Sequence, residues 1–250
     1  MDAMDVTQSI FRWIHVVAGV LWIGLLYFFN WVNGPFAATM DGETKKKVVP
    51  ELLPRALFWF RWGAVWTWVT GILLLLLVFY HGGATFASGV GSAVGYVGLA
   101  LVLAAPFLYE ILTKLMKKNE VLAVVGVGLI AALVYVMLTF LGYGFRGYAI
   151  HIGAMFGTIM AFNVWFRIWP AQKKIITAVK GGTPPDAALV AMAGSRSKHN
   201  TYLSVPLVLM MLNTHSTWMA SQWWILPAAV AVALFGVKHL YSKAGKVKGF

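Results

Sequence analysis

The sequence predicts an all-α integral membrane protein, a bundle of about seven transmembrane helices, and three observations lead to this fold class. Hydrophobic residues make up 60% of the 250 residues and charged residues only 11%, which is too few polar groups for a water-soluble surface. Seven apolar stretches approach the length of about 20 residues that crosses about 30 Å of hydrocarbon. Basic residues fall in every second connection between these stretches.

The predicted spans divide the chain without leaving room for a second soluble domain. We expect them at residues 9–32, 57–80, 94–116, 121–143, 147–169, 202–219 and 223–241. A membrane helix tolerates Pro106 in the third span because neighbouring groups satisfy the freed carbonyl, whereas Pro170 is expected to end the fifth. The sequence therefore predicts one membrane domain, 1–250, with a cytoplasmic loop at 171–200 that carries a short surface helix.

The distribution of charge predicts the orientation. The net charge is +12, from 20 Lys and Arg against 8 Asp and Glu. Connections one, three and five and the C-terminal segment are basic, whereas the other connections contain only Arg146. Loops that stay in the cytoplasm collect Lys and Arg. We therefore expect the N-terminus outside and the C-terminus inside a bacterial cytoplasmic (inner) membrane, with the lipid bilayer and no nucleic acid as partner.

Several chemistries are excluded by what the sequence lacks. With no cysteine the chain cannot form disulfides, thiolate metal sites or the covalent attachment of c-type haem. It has no H-E-x-x-H, no phosphate-binding G-x-x-x-x-G-K-[ST] and no serine nucleophile elbow. Glu110 is the one carboxylate placed well inside a span, which argues against a proton pump built from a chain of acids.

Three histidines are the strongest candidates for a site. His15, His151 and His215 fall in the outer halves of spans one, five and six at about 1.5 Å of rise per residue. Ionisable residues inside a membrane are costly and usually functional. Paired imidazoles can hold haem b without cysteine, so we expect two as axial ligands and the third orienting a propionate or substrate.

The surroundings of these histidines suit a porphyrin. Small residues one turn away leave room for its face, and two arginines on the outer side would meet its propionates. These cofactor-binding candidates are Gly19, Ala154, Arg12 and Arg146. Two alternatives stay open: a tri-histidine copper or zinc site, and histidines that only pack or hydrogen-bond across helices in a structural or transport protein.

A second polar group lies toward the cytoplasm. Its candidate pocket residues are Arg61, Asn163, His199 and Asn200, with Glu110 and Arg167 nearby. Such a pocket could hold a quinone head, a small anion or a second cofactor. The alternative is that these side chains snorkel, form ion pairs or cap a helix.

Particular strings resemble the membrane domain of the membrane-bound bacterial urate hydroxylases, from span one through span six. Residues 15–24 read HVVAGVLWIG, and residues 59–62 read WFRW before Thr67, Trp68 and Gly71. The longest match begins with HIGA at 151–154 and continues through RSKHNTY at 196–202. It takes in further spaced positions: Gly157, Met160, Asn163, Pro170, Gln172, Pro206, Asn213 and His215.

The resemblance implies a membrane redox enzyme that oxidises urate to 5-hydroxyisourate and passes electrons to a cytochrome c. Members commonly carry an eighth span and a C-terminal cytochrome c domain. This chain ends at Phe250 after span seven and has Gly63 where an acidic residue is expected. The catalytic residues stay unassigned, and the acceptor is expected to be a separate cytochrome c or a quinone. The rival hypothesis is a haem-binding electron-transfer or anchoring subunit of a larger membrane complex.

Overall fold

The computed structural model describes residues 2–86, 95–115, 120–213, 215, 218–222 and 224–248. These residues form seven long helices and, beyond an isolated bridge between Phe86 and Tyr143, no strand. The helices are α1 (Ala3–Thr39), α2 (Gly42–His81), α3 (Tyr96–Leu115), α4 (Glu120–Phe140), α5 (Phe145–Lys180), α6 (Ala187–Asn213) and α7 (Ile225–Ala244). A short 3-10 turn, Trp218–Ala220, precedes α7.

The helices confirm an all-α, multi-pass membrane protein, and their number agrees with the seven predicted spans. Five of those described, α1, α2, α3, α5 and α7, are long and apolar enough to cross a membrane. In α4 the shorter stretch Gly126–Phe140 is apolar. Many large apolar side chains point outward, including Val20, Leu133 and Val232, as expected where lipid rather than water surrounds the bundle.

Three helices are longer than a membrane requires. Helices α1, α2 and α5 have 37, 40 and 36 residues, and each contains a π-helical stretch: Phe28–Asn33, Leu75–His81 and Val164–Ile168 respectively. A π-helical stretch shifts the hydrogen-bond register of the helix. Where a proline follows, this shift can compensate for the backbone N–H that the proline lacks.

The structure differs from prediction around Pro170. Instead of ending there, α5 continues to Lys180, since the π-helical stretch lies immediately before the proline. Helix α6 already begins at Ala187, where the Asp186 carboxylate accepts a hydrogen bond from the N–H of Ala188 at 2.7 Å. Of the predicted loop 171–200, 181–186 alone are non-helical. Residues 196–200 therefore lie on α6.

Helix α5 is the centre of the bundle, with 67% of its most apolar stretch buried. It packs tightly on α6 at Gly153, where even an added Cβ would come within 2.9 Å of the Met210 Cβ. Helix α1 packs on α2, where Gly63 lies against Trp22 and the carbonyl of Ala18. This close approach explains a glycine at position 63, where the family resemblance led us to expect an acid.

Candidate functional sites

His15 lies on the face of α1 that packs against α2. Its Nδ1 is 2.8 Å from the carbonyl oxygen of Thr67 and 3.3 Å from the Thr70 hydroxyl. A carbonyl can only accept, so Nδ1 carries the proton and Nε2 carries the lone pair. Nε2 has no hydrogen-bond partner in the described part of the chain. A ring fixed in this way by its other nitrogen is the arrangement that imidazole metal ligands use.

His151, near the start of α5, is fully buried and has the same tautomer. Its Nδ1 donates to the carbonyl oxygen of Gly147 at 2.7 Å, and its Nε2 accepts from the Tyr80 hydroxyl at 2.8 Å. Tyr80 and Tyr143 contact the ring edge to face. Gly98 closes the remaining side, since a Cβ there would lie 2.7 Å from Cδ2. We call Tyr80, Gly98 and Tyr143 the His151 cage.

The cage is itself held by hydrogen bonds to backbone. The Tyr143 hydroxyl donates to the carbonyl oxygen of Gly95 and accepts from the N–H of Gly98 at 3.0 Å. Gly147, one turn before His151, lies against the backbone of Thr85. The imidazole is thus enclosed by neutral groups, and no charged side chain contacts it among the described residues.

The structure does not bring the three predicted histidines together. His215 follows the end of α6, is exposed, and its N–H donates to the carbonyl of Leu212 at 3.1 Å. The described residues include no group of three His, Cys, Asp or Glu side chains that could hold a metal ion. The alternative of a tri-histidine copper or zinc site therefore gains no support from the described residues.

The other predicted cofactor residues have local roles. Arg12 is exposed and bonds Gln8 at 3.3 Å, and Arg146 is exposed in the first turn of α5. Gly19 faces the Thr67 side chain, with 3.7 Å from an added Cβ to the Thr67 Cγ2. The Ala154 carbonyl accepts from the Thr158 hydroxyl at 2.8 Å.

The second predicted site forms a buried polar cluster where α3, α5 and α6 meet. We call it the Tyr109 cluster, after the side chain that its members surround. Its members are Tyr109, Glu110, Asn163, Arg167, Arg196, His199 and Asn200.

Hydrogen bonds join the three helices through this cluster. The Tyr109 hydroxyl lies 2.6 Å from Nδ1 of His199. The Asn163 amide donates to Oδ1 of Asn200 at 2.9 Å, and the Asn200 amide donates to the carbonyl of Met160 at 3.0 Å. Asn163 and Asn200 have no exposed surface. The structure thus brings Asn163, His199 and Asn200, three of the four predicted pocket residues, into one cluster around Tyr109.

The cluster carries a net positive charge. Glu110 pairs with Arg167 and with Arg196, each at 3.1 Å, so two cations share one carboxylate. The Cζ of Arg196 lies 4.9 Å from the centre of the Tyr109 ring, and its Nη2 also donates to the Thr113 hydroxyl at 3.0 Å. The three side chains together leave one elementary positive charge. Arg196 is almost fully shielded from solvent, whereas Arg167 is partly exposed.

Two buried polar atoms of the cluster lack a hydrogen-bond partner in the described part of the chain. They are Nη1 of Arg196, a donor, and Oδ1 of Asn163, an acceptor. An unsatisfied buried polar atom costs about 1–3 kcal/mol. The cluster therefore has hydrogen-bonding capacity that its own side chains do not use.

Arg61 stands apart from the Tyr109 cluster. Its guanidinium stacks over the Trp169 ring, 3.9 Å from the ring centre. Sequence reasoning grouped Arg61 with the cluster and overlooked Tyr109 and the central place of Arg196. Spacing held the missing signal, because Arg196, His199 and Asn200 stand at i, i+3 and i+4 and so share one face of a helix.

The fold and these two regions define a class: a multi-pass helical membrane protein with polar and imidazole groups enclosed in its bundle. The family model described as urate oxidase N-terminal matches residues 40–249. The chain therefore belongs to the urate oxidase N-terminal family, which confirms the resemblance in its sequence. The match spans α2 to α7 and includes His151 and the whole Tyr109 cluster. Neither the curated proteins nor the solved structures gave a match.

Proposed function

We propose that this protein is a membrane haem b redox protein of urate-hydroxylase type, in a bacterial cytoplasmic membrane. In this proposal it oxidises urate or a related small anion and passes the electrons to a separate cytochrome c or a quinone. Family membership supports the reaction class. The observation that supports haem as the cofactor is the orientation of His15. Its Nδ1 is fixed by the Thr67 carbonyl, and its Nε2 is available to bind a metal ion.

The two buried histidines fit a haem-ligand role to different extents. His15 fits as it stands. His151 has the required tautomer, but its Nε2 accepts the Tyr80 hydroxyl and Gly98 lies against the ring, so this nitrogen is occupied and His151 fits less well than His15. His215 is exposed, and its predicted role in orienting a propionate or substrate gains no support.

The protein's own contribution at this site is orientation. The Thr67 carbonyl and the Thr70 hydroxyl fix the His15 ring against α2, and the Gly147 carbonyl fixes the His151 ring. A bound haem supplies one-electron transfer. Hydrogen bonds from ligand histidines to backbone carbonyls also raise the basicity of the ligating nitrogen.

Single replacements of the histidines test the proposal. His15→Ala is expected to lose most of the haem, and His151→Ala to lose haem or change its spectrum. His215→Ala is the matched control and should keep the wild-type spectrum, because its side chain is exposed. Haem content and reduced-minus-oxidised absorption of the purified proteins are the measurements. A His15→Ala protein with wild-type haem content would refute the assignment.

The enzymatic part has its own test. The haem-loaded wild-type protein is mixed with urate and either oxidised cytochrome c or a soluble quinone, without oxygen. We expect urate loss matched by two electrons delivered to the acceptor. Haem without any urate consumption would refute the enzymatic part. It would favour an electron-transfer or anchoring subunit, which would then co-purify with other membrane subunits.

A further inference from the structure

Within the described part of the chain, Arg61 is a cation without a counter-charge. Its guanidinium carbon lies 3.9 Å from the centre of the Trp169 ring, 5.7 Å from that of Trp165 and 5.8 Å from that of Phe58. Among the described residues it forms no ion pair, and its buried Nε has no acceptor. Aromatic faces attract the charge but leave N–H groups of the guanidinium unused. Arg61 can therefore still bind an anionic acceptor.

A second cation shares the Trp169 ring. Nζ of Lys173 lies 5.5 Å from the ring centre, and Lys173 is exposed and forms no ion pair with any described residue. Both cations lie at the end of the bundle that carries the basic connections. Basic pockets at this level of a membrane protein bind anionic lipid headgroups, and arginine binds phosphate with two N–H groups at once. We call Arg61, Trp169 and Lys173 the basic clamp.

An apolar slot begins one helical turn beyond the basic clamp. Helices α2 and α3 both pack on α5 and leave between them a cavity of about 390 Å³, which is within the usual range for ligand sites, about 300–1,000 Å³. Leu103, Phe107 and Phe166 line it and are largely exposed. The slot is therefore open to the surrounding lipid. Its other walls include Val65 and Val69 of α2.

The polar groups that line the slot already bond one another or the backbone. The indole N–H of Trp68 donates to the Thr158 hydroxyl at 3.1 Å, and this hydroxyl donates to the Ala154 carbonyl at 2.8 Å. The indole N–H of Trp165 donates to the Arg61 carbonyl at 3.0 Å. A polar group placed here would lose its hydrogen bonds to water without replacing them. Hydrocarbon has none to lose, so the slot favours an alkyl chain.

We infer that the basic clamp and the slot together bind one anionic phospholipid, whose phosphodiester accepts from Arg61 beside Lys173 while one acyl chain lies in the slot. Trp165 joins the two parts, because its ring both lines the slot and lies against Arg61. Arg61 and Val65 are one turn apart, about 6 Å along α2. A phospholipid likewise carries its phosphate and its chains on one glycerol, and the bilayer supplies it at high concentration.

This inference does not depend on the proposed function. The hydrogen bonds and ring contacts of His15 and His151 involve none of the residues of the clamp or the slot. Haem content is therefore expected to be the same with and without the lipid.

Native mass spectrometry of the full-length, detergent-purified protein with added phosphatidylglycerol tests the clamp. We expect the wild type to retain this lipid and Arg61→Gln to bind it at least about tenfold more weakly, the loss expected from one charge-assisted hydrogen bond. Arg55→Gln is the matched control: it removes the same charge from an exposed side chain of the same helix, 73% accessible, and should retain the lipid as the wild type does. Equal retention by Arg61→Gln and the wild type would overturn the inference.

The slot has a test of its own. Val69→Phe adds a ring where the acyl chain would lie, whereas Val20→Phe adds the same volume on α1 at a side chain that is 70% exposed. We expect weaker retention of phosphatidylglycerol in Val69→Phe alone, with melting temperatures showing that both variants are folded. If Val69→Phe retains the lipid as Val20→Phe does, no acyl chain occupies the slot and the inference is wrong.

A ligand series tests the same claim on the unaltered protein. Phosphatidylcholine has the same chains but a headgroup without net charge, and should be retained at least about tenfold less than phosphatidylglycerol. Inorganic phosphate at the same concentration should not displace the lipid, because it has no chain for the slot. Equal retention of phosphatidylcholine would reveal a groove that takes any lipid, and displacement by phosphate would reveal a site for a free anion. Either result would overturn the inference.

Discussion

The His151 cage and the Tyr109 cluster share helix α5, separated by about 18 Å of helix between His151 and Asn163, and they bury polar groups in different ways. In the cage, one imidazole has both nitrogens hydrogen-bonded and is surrounded by neutral rings and a glycine. The cluster contains three charged side chains and two amides, and its hydrogen bonding is incomplete. One buried donor and one buried acceptor have no partner among the described residues.

The difference shows what each region is built to do. A saturated neutral cage depends on steric fit, so it should respond most to added volume. An unsaturated charged cluster depends on charge balance, so it should respond most to the loss of a counter-charge and to a ligand that supplies one. This contrast leads to four predictions, taken from the largest expected effect to the smallest.

Added volume beside the cage should have the largest effect. In Gly147→Ala the new Cβ would overlap the backbone carbonyl of Thr85, and a backbone cannot yield as a side chain can. We expect a loss of about 3 kcal/mol or more in stability, seen as a lower melting temperature and a lower yield of folded protein. Gly194→Ala is the control, because nothing lies within 4 Å of its Cβ. Equal melting temperatures would show that steric fit does not govern the cage.

Loss of the counter-charge should have the next largest effect. Glu110→Gln leaves Arg167 and Arg196 without their shared carboxylate. The expected destabilisation is about 2–3 kcal/mol, below the usual cost of breaking a buried pair because Arg167 is partly exposed. Thermal unfolding in detergent measures it. Glu51→Gln breaks the exposed pair with Arg55 and should change little, and a similar loss in both variants would contradict the account.

Removal of one hydroxyl from the cage should cost less. Tyr80→Phe deletes the donor to Nε2 of His151 but keeps the ring contact. We expect a loss of about 1 kcal/mol. Tyr96→Phe is the control, because Tyr96 stacks on Tyr80 and is exposed. A Tyr80→Phe protein as stable as the control would mean that the hydroxyl does not hold the imidazole.

An exposed carboxylate gives the smallest effect and a reference for Glu110. The backbone N–H and the hydroxyl of Thr44 donate to Asp41 at the start of α2 and lower its pKa. A carboxylate whose pKa is lower in the folded state stabilises that state at pH values above the ordinary aspartate pKa. This contribution to stability disappears as the pH falls through the lowered pKa. Asp41→Ala should therefore lose slight helicity near neutral pH and none at strongly acid pH, measured by far-ultraviolet circular dichroism. A difference that persists in acid would contradict this cause.

The membrane fold could be predicted from composition, because apolar length and the spacing of basic residues are properties of each segment alone. The pairing of Asn163 with Asn200 was also within reach, since both are polar in otherwise apolar helices. The continuation of α5 through Pro170 could not be predicted. The sequence shows that the proline lacks a backbone N–H, but it does not show the π-helical stretch that compensates for this loss. The sequence predicted that His15, His151 and His215 lie at one depth in the membrane, but in the structure they do not form one site. Depth along a helix does not determine which neighbouring helix a given side chain faces.

The central claim is that an imidazole-ligated haem lies in this bundle. A reduced-minus-oxidised absorption spectrum of the detergent-purified wild-type protein, with a pyridine haemochrome count and haem supplied during expression, tests it most directly. We predict a b-type spectrum at about one haem per chain. A colourless protein would contradict the claim and leave His15 and His151 as groups that fix helices to one another.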